Sequence, residues 1–503
     1  MVDMKNLATH SIVLPEPHME FGNEQTHEHP ALGLTLFGPV EAGSIERPRH
    51  ISHAVIGTTD GIEKFEAFAN CLCHPISSPE KMSDQIWPFF PGIEEAFGVR
   101  LETKTPYAEH IDEADLRKST KITDDHQRVY EVVEHYLKAL RAIARKDASI
   151  QLAVCVVPEL IHKNCRAQSK VTGGNHSRIN AREVRKRRQT QDLFGEYDSR
   201  QYDFSLDFRK QLKARAMELR IPVQIVRETT LRLSDDNEFG KRGLTPLSDR
   251  AWNLCTALFY KSGAKPWKLP AARPGVCYVG IAYKRTDERS RTACSAAQMF
   301  LDDGDGIVFM GETGAWYSPE TKQCHLSREA AKNLLKGVLE KYHEQHGKPL
   351  TEVFLHCRSM IDDEEWEGFL EACPTGVNLV GIRVAPERRG FRGYRTGTRP
   401  VVRGTFWPLS SKIGYLWASG FKPALLTYDG FDVPAPLRIE IQHGKADLFQ
   451  VAKDVFGLTK LNYNACKLGE SQPVTVHFSD AVGEILVANQ GTTYLLPNFK
   501  YYV

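Results

Sequence analysis

The run Ile150-Gln151-Leu152-Ala153-Val154-Cys155-Val156-Val157-Pro158 is apolar at nearly every position. A strand with one wet face alternates apolar and polar side chains; a strand apolar throughout is covered on both faces, as in a parallel sheet. The preceding segment, 124–146, places Val129, Val132, Val133, Tyr136, Leu137, Leu140 and Ile143 at spacings of three and four, which predicts a helix. Helix followed by doubly buried strand is the rhythm of an α/β layer. Upstream, His53-Ala54-Val55-Ile56-Gly57-Thr58 reads as a short strand leading into a helix from about Gly61. Downstream come a helix over roughly 205–219, the strand Ile221-Pro222-Val223-Gln224-Ile225-Val226, and a helix near 248–262. Gly263 ends that helix, as glycines past a C-terminus do. Pro266-Trp267, Pro270 and Pro274 follow, and the domain boundary is expected here, giving 1–270 and 271–503.

The second half opens with a strand, Gly275-Val276-Cys277-Tyr278-Val279-Gly280-Ile281-Ala282-Tyr283. Gln298-Met299-Phe300-Leu301 and Ile307-Val308-Phe309-Met310 flank the turn Asp302-Asp303-Gly304-Asp305-Gly306. A helix over 327–345 precedes the strands Glu352-Val353-Phe354-Leu355-His356 and Val377-Asn378-Leu379-Val380-Gly381-Ile382. Antiparallel strands, a helix, then more strands is a mixed-sheet order that fits a ribonuclease-H-like layout.

At 503 residues the chain exceeds one compact core, so two domains are expected. With 41% hydrophobic and 25% charged residues its composition is that of a soluble globular protein. The net charge of +2 means that a nucleic-acid surface would have to come from local clustering. The 11 cysteines are scattered without a CxxC pair, so Cys71-Leu72-Cys73-His74 reads as thiols in a reducing cytosol rather than a zinc site. Met1 to His10 lacks the apolar core of a signal peptide, and no stretch approaches 18 uncharged apolar residues, so a cytoplasmic location is expected. The first 35 or so residues carry Pro15, Pro17, Pro30, His10, His18, His27 and His29; they read as a solvated, irregular lead-in, with ordered structure starting at Leu32. Residues 166–203 are polar and hold Arg185-Lys186-Arg187-Arg188, a solvated loop or helix face with phosphate contact as the alternative.

Several motifs carry a family resemblance that covers nearly the whole chain. They are Gln211-Leu212-Lys213-Ala214-Arg215, Ile221-Pro222-Val223-Gln224, Tyr260-Lys261-Ser262-Gly263 with Pro266-Trp267, and the opening strand Pro274 to Ile281. Leu458-Thr459-Lys460-Leu461-Asn462-Tyr463-Asn464, Pro473-Val474-Thr475-Val476 and the tail Phe499-Lys500-Tyr501-Tyr502-Val503 complete the set. In combination they resemble a short prokaryotic Argonaute: a Rossmann-like MID domain followed by a ribonuclease-H-like PIWI domain, the tail tucking back under MID. The resemblance is greatest to the clade that works with a separate TIR-APAZ protein; a Sir2-APAZ partner is the alternative.

A 5′ phosphate is a doubly charged anion, and a pocket for it needs cationic side chains plus neutral donors. Lys213 lies on a helix, Gln224 on the next strand, and Lys261 at the end of another helix; Arg209 shares the face of Lys213, four residues away. These four positions match the family's guide 5′-phosphate set, although many members carry an aromatic at the place of Arg209. The resemblance also implies a divalent cation, Mg²⁺, held partly by the C-terminal carboxylate of Val503, because a hard cation between phosphate and carboxylate relieves their repulsion. For the nucleic-acid backbone, residues 383–403 hold seven arginines against one glutamate, with Phe391 and Tyr394 interleaved; Arg388, Arg389, Arg392 and Arg395 are the candidates. A merely solvated loop is the alternative there.

A cutting PIWI domain converges several carboxylates on two Mg²⁺ ions. By resemblance, Ala282 stands at the place of the family's first aspartate and Arg358 at that of the second; Glu312 and Asp480 match the remaining ligands. Two surviving carboxylates do not make a two-metal site, and Arg358 brings a positive charge where a dication would sit, a repulsion of several kcal/mol at about 4 Å. The expectation is therefore a guide-binding subunit of an immune complex that does not cut. It would take a guide RNA, pair it with a single-stranded DNA target, and activate the TIR-APAZ partner, which consumes NAD⁺. One alternative is a nuclease with a rearranged acidic site drawn from Glu312, Asp362, Asp363 and Asp480. Another is a single-strand binder indifferent to the 5′ phosphate.

Overall fold

A computed structural model of the chain describes residues 10–45, 47–79, 86–146, 149–169, 171, 199–235, 245–270, 273, 275–285, 292–300, 306–309, 316–318, 323–346, 349–387, 391–428, 430, 432–486, 488 and 496–503. In chain order the elements that position the site are β1 (Ile12–Val13), α1 (Pro30–Phe37), β2 (His53–Gly57), α2 (Thr59–Leu72), β3 (Ala108–His110) and α3 (Asp125–Ala144). Then come β4 (Leu152–Val157), α4 (Phe208–Ala216), β5 (Val223–Arg227) and α5 (Leu247–Lys261). The second half contributes β6 (Val276–Arg285), β7 (Thr292–Phe300), β8 (Gly306–Phe309), α6 (Arg328–His346), β9 (Glu352–Cys357), α7 (Asp363–Ala372) and β10 (Asn378–Pro386). It ends with β11 (Thr405–Pro408), β12 (Ile413–Leu416), β13 (Leu437–His443), α8 (Leu448–Gly457) and α9 (Val474–Leu486).

In the first half β3, β2, β4 and β5 form one parallel sheet in that order. The apolar run in β4 has its reason here. Ala153, Cys155 and Val157 pack under α3 and α4, while Leu152, Val154 and Val156 pack into the core on the opposite face. Helix α3 begins at the N-cap Asp124, whose carboxylate accepts from the amides of His126 and Gln127, and it buries the predicted stripe from Val129 to Ile143.

The second half is built on a nine-stranded mixed sheet, ordered β1-β11-β12-β13-β10-β9-β6-β7-β8. Strands β6, β9 and β10 run parallel and the remaining pairings are antiparallel. Helix α9 lies so close to β6 that a Cβ on Gly280 would come 1.7 Å from the Thr475 carbonyl oxygen. Residues 474–476, which the sequence shows only as an apolar run, are thus the first turn of a packed helix.

The N-terminal segment departs from its reading as a solvated lead-in. β1 is the edge strand of the nine-stranded sheet, pairing Ile12 with Phe406. Met19 and Phe21 are fully buried, and α1 starts at Pro30, where proline costs no helix hydrogen bond. Glu16 is paired with the buried Arg403 (3.0 Å) and Lys460 (2.5 Å). Burial raises the Glu16 carboxyl pKa, but these two cations outweigh it and leave it below its ordinary value. Arg403 therefore leaves the expected basic run and becomes a core residue. It also donates to Thr459 Oγ1 at 2.7 Å and to the Glu470 carbonyl at 3.1 Å.

Trp267, in the proline-rich stretch between the halves, is fully buried. Its Nε1 donates to the Lys460 carbonyl at 3.0 Å, and its own carbonyl accepts from Tyr463. One hydrophobic cluster runs through this seam, from Phe21 and Trp252 to Ile439 and Val455. No helix among the described residues is long and apolar enough to cross a membrane.

Candidate functional site

Helix α4 starts at the N-cap Asp207, whose carboxylate accepts from the Lys210 amide, and this fixes the phase that buries Lys213. Helix α5 stops directly after Lys261, because Gly263 takes a φ of +105° that an L side chain resists. Gln224 sits on β5, and its Oε1 accepts from Lys261 Nζ at 2.5 Å. The C-terminal segment closes over them: Tyr502 and Val503 are buried, and Lys213 Nζ donates to the Tyr502 carbonyl at 3.2 Å. Phe499 packs on Phe478 of α9 with ring centroids 4.6 Å apart. Lys213, Gln224, Lys261, Arg209 and Val503 thus line one cavity of about 480 Å³, with Lys210 and Arg227 beside them.

The two lysines are 3% and 1% exposed. Burial, then the charges of Lys261 and Arg209, push Lys213 well below the ordinary lysine value. Burial, then Arg209, brings Lys261 down to about 7. The hydrogen-bond partners of these ammonium groups are a neutral amide and a backbone carbonyl, so neither is in a direct hydrogen bond to a carboxylate. Buried charge without a counter-charge is costly, and an entering anion relieves that cost and restores both pKa values. The arrangement is chemically an anion site. Asp207 and Glu484 also line it, and Glu484 of α9 pairs with Lys210 at 3.3 Å.

A second cavity, of about 800 Å³, brings together Ala282, Arg358 and Asp480. Ala282 lies where the pairing of β6 with β7 shifts register, between Ile281 and Tyr283. Arg358 follows β9 and forms an ion pair with Asp480 of α9; its Nη2 also donates to Gln472 Oε1 at 2.5 Å. Glu312 lies outside the described residues, as do the turn acids Asp302, Asp303 and Asp305 and the basic run 185–188.

Of the expected backbone arginines, Arg388 and Arg389 also lie outside the described residues. Arg392 is half-buried and donates to the Phe391 carbonyl, while Arg395 is exposed and sits 5.3 Å over the Phe421 ring beside Arg399. Phe391 stacks on Tyr415, centroids 4.8 Å apart, in the wall of the larger cavity. Arg383 is held by Glu440 at 3.6 Å and by the Arg358 carbonyl. The basic run is therefore divided: Arg383 belongs to the cavity wall, Arg403 to the core, and Arg395 to the surface.

Sequence reasoning missed one cluster with metal-ligand chemistry, His325, Asp362 and Glu365. His325 Nδ1 lies 3.0 Å from Glu365 and 3.4 Å from Asp362. Glu365 already accepts from Tyr283 Oη, the Leu326 amide and the Asp362 amide, while Asp362 accepts from the Glu365 amide. That reciprocal pair is a capping box at the start of α7, legible in Asp362-Asp363-Glu364-Glu365 as the spacing of an N-cap acid and a glutamate three residues on. Asp362 is thereby committed to the helix cap, and Asp363 is a first-turn acid.

A parallel sheet joined through a buried tryptophan seam to a mixed, ribonuclease-H-like sheet is the fold of the MID and PIWI portion of Argonaute and Piwi proteins. Clostridium butyricum Argonaute, solved with a guide DNA and a 19-mer target DNA, superposes with a TM-score of 0.61 at 12% identity, over 100% of this chain and 56% of that one. Drosophila Piwi gives 0.60 at 13% identity, over 98% and 56%. Aa-Ago, solved with externally bound siRNA, gives 0.56 at 14% identity, again over 98% and 56%. The chain spans little more than half the length of these proteins, and at such identities the likeness speaks for fold alone. No family model and no curated protein matches the sequence.

Proposed function

We propose that the chain holds a short nucleic-acid guide by its 5′ phosphate between Lys213, Gln224 and Lys261, and reads a complementary strand by base pairing. The observation that carries this is the meeting of two buried lysines, hydrogen-bonded only to neutral groups, with an amide side chain in one cavity. A dianionic phosphate supplies a counter-charge, and Arg209 at the same cavity adds a further donor. Val503 offers hard oxygen donors there, so its terminal carboxylate would help hold a Mg²⁺ ion, whose charge would offset that of a bound phosphate. The shared fold supports the reading, since Clostridium butyricum Argonaute was solved with both guide and target.

The finer reading follows the resemblance. With a boundary near residue 270, residues 1–270 take the guide end and 271–503 support the paired strands. The guide is RNA and the target single-stranded DNA. The chain does not cut, which Ala282 and the Arg358–Asp480 pair support. Target pairing activates a cytoplasmic TIR-APAZ partner that consumes NAD⁺.

The test compares guides with 5′-phosphate and 5′-hydroxyl ends on the purified chain. We expect the phosphorylated guide to bind at least about tenfold tighter, as charge-assisted bonds to a buried phosphate require. Lys213→Ala and Lys261→Ala should erase most of that difference. Equal affinity of the unmodified chain for the two guides would overturn the reading.

A further inference from the structure

In the larger cavity an arginine is held by an acid of its own chain. Arg358 is one-third exposed, and Asp480 is its ion-pair partner. The guanidinium also has a spare donor: Nε is buried without a hydrogen-bond acceptor. Two further cations of the same wall, Arg383 and Arg438, both pair with Glu440, at 3.6 and 3.1 Å. Stacked Phe391 and Tyr415 form another part of the same wall, a surface on which bases or sugars can lie.

We infer that Arg358 is a receptor for a backbone phosphate of the strand paired to the guide, and that Asp480 is an internal anion occupying that receptor until the strand arrives. Carboxylate and phosphodiester each present two oxygens to the guanidinium fork, so they compete for it. The inference rests on the guide-binding reading above. It assigns the cavity to binding through arginine rather than to metal-assisted cutting. It also gives α9 a definite place, because this one helix presents Asp480 to the larger cavity and Glu484 to the guide cavity.

The experiment uses the full chain loaded with a 5′-phosphorylated guide and measures binding of a labelled complementary strand against salt. Asp480→Asn keeps the shape and removes the competing charge. We expect it to tighten target binding about two- to fivefold, the worth of a partly exposed ion pair, and to leave guide affinity unchanged. Arg358→Gln should weaken target binding and lower the salt slope by about one, the signature of one lost phosphate contact. Arg358→Lys should keep that slope, and melting curves identify a variant that fails to fold. Target affinity unchanged or weakened by Asp480→Asn would overturn the inference, as would Mn²⁺-dependent cleavage by the unmodified chain that Asp480→Asn abolishes. If the unmodified chain does not prefer a phosphorylated guide, both readings fall together. Normal guide preference with unmoved target affinity sinks this one alone.

Discussion

Lys261 is the residue whose chemistry reports most directly on the proposed site. Burial and Arg209 hold its pKa near 7, against about 10.5 for an ordinary lysine. A phosphate binds the charged form, so affinity for a 5′-phosphorylated guide should fall as pH rises above about 7, by up to about tenfold per unit. A 5′-hydroxyl guide should show no such trend, and Lys261→Arg, which does not titrate here, should flatten it. Isothermal titration between pH 6 and 9 reads all three. Without guide the linkage has the opposite sign. Between about 7 and 10.5 the unfolded chain binds the proton that the folded chain has lost, so this residue's contribution makes the free protein more stable as pH rises. Neither value could be read from the sequence, where Lys213 and Lys261 are two lysines among many.

At the scale of elements, the N-terminal segment and α9 are each fixed by one feature. Glu16 sits against Arg403 and Lys460, both fully buried at the side chain. Removing it leaves two cations without their counter-charge, so Glu16→Ala should cost about 3–5 kcal/mol in urea unfolding. Because the Glu16 pKa is depressed, its stabilisation is complete above the ordinary glutamate value near 4.5 and is lost as pH falls through its lower folded value. Gly280 lets α9 touch β6; Gly280→Ala must displace the Thr475 backbone and should cost about 3 kcal/mol, the upper end for overpacking. A glycine inside an apolar run hints at such a contact in sequence, but the partner it admits, nearly two hundred residues away, is invisible there. The histidines and prolines near the N-terminus misled for a related reason. Irregular composition reads as loop, whereas β1 and the Glu16 cluster are ordered by pairing with strands and cations around residues 403–460.

The whole molecule joins two sheets by burying Trp267, Phe499 and the chain's last residues between them. Residues of α9 line both the smaller and the larger cavity. With guide bound, Mn²⁺ present and a labelled complementary strand added, no discrete cleavage products should appear over hours. Products abolished by Asp480→Ala would restore the nuclease reading. Co-purification from cells should recover short 5′-phosphorylated nucleic acid together with the partner protein, and recovery of bare chain under native salt would count against the complex.

Periodicity and apolar runs were enough to determine the α/β class, a helix within 124–146, a doubly buried strand within 150–158 and the mixed order of the second half. These are local consequences of side-chain spacing, so they survive in a one-dimensional reading. The motif resemblance carried the choice of Lys213, Gln224, Lys261 and Arg209, but only folding brought them with Val503 into one cavity. The tertiary structure alone decided that Arg403 is a core residue and that Asp480 lies against Arg358. Burial and charge pairing depend on which distant segments meet, and no spacing along the chain encodes that meeting.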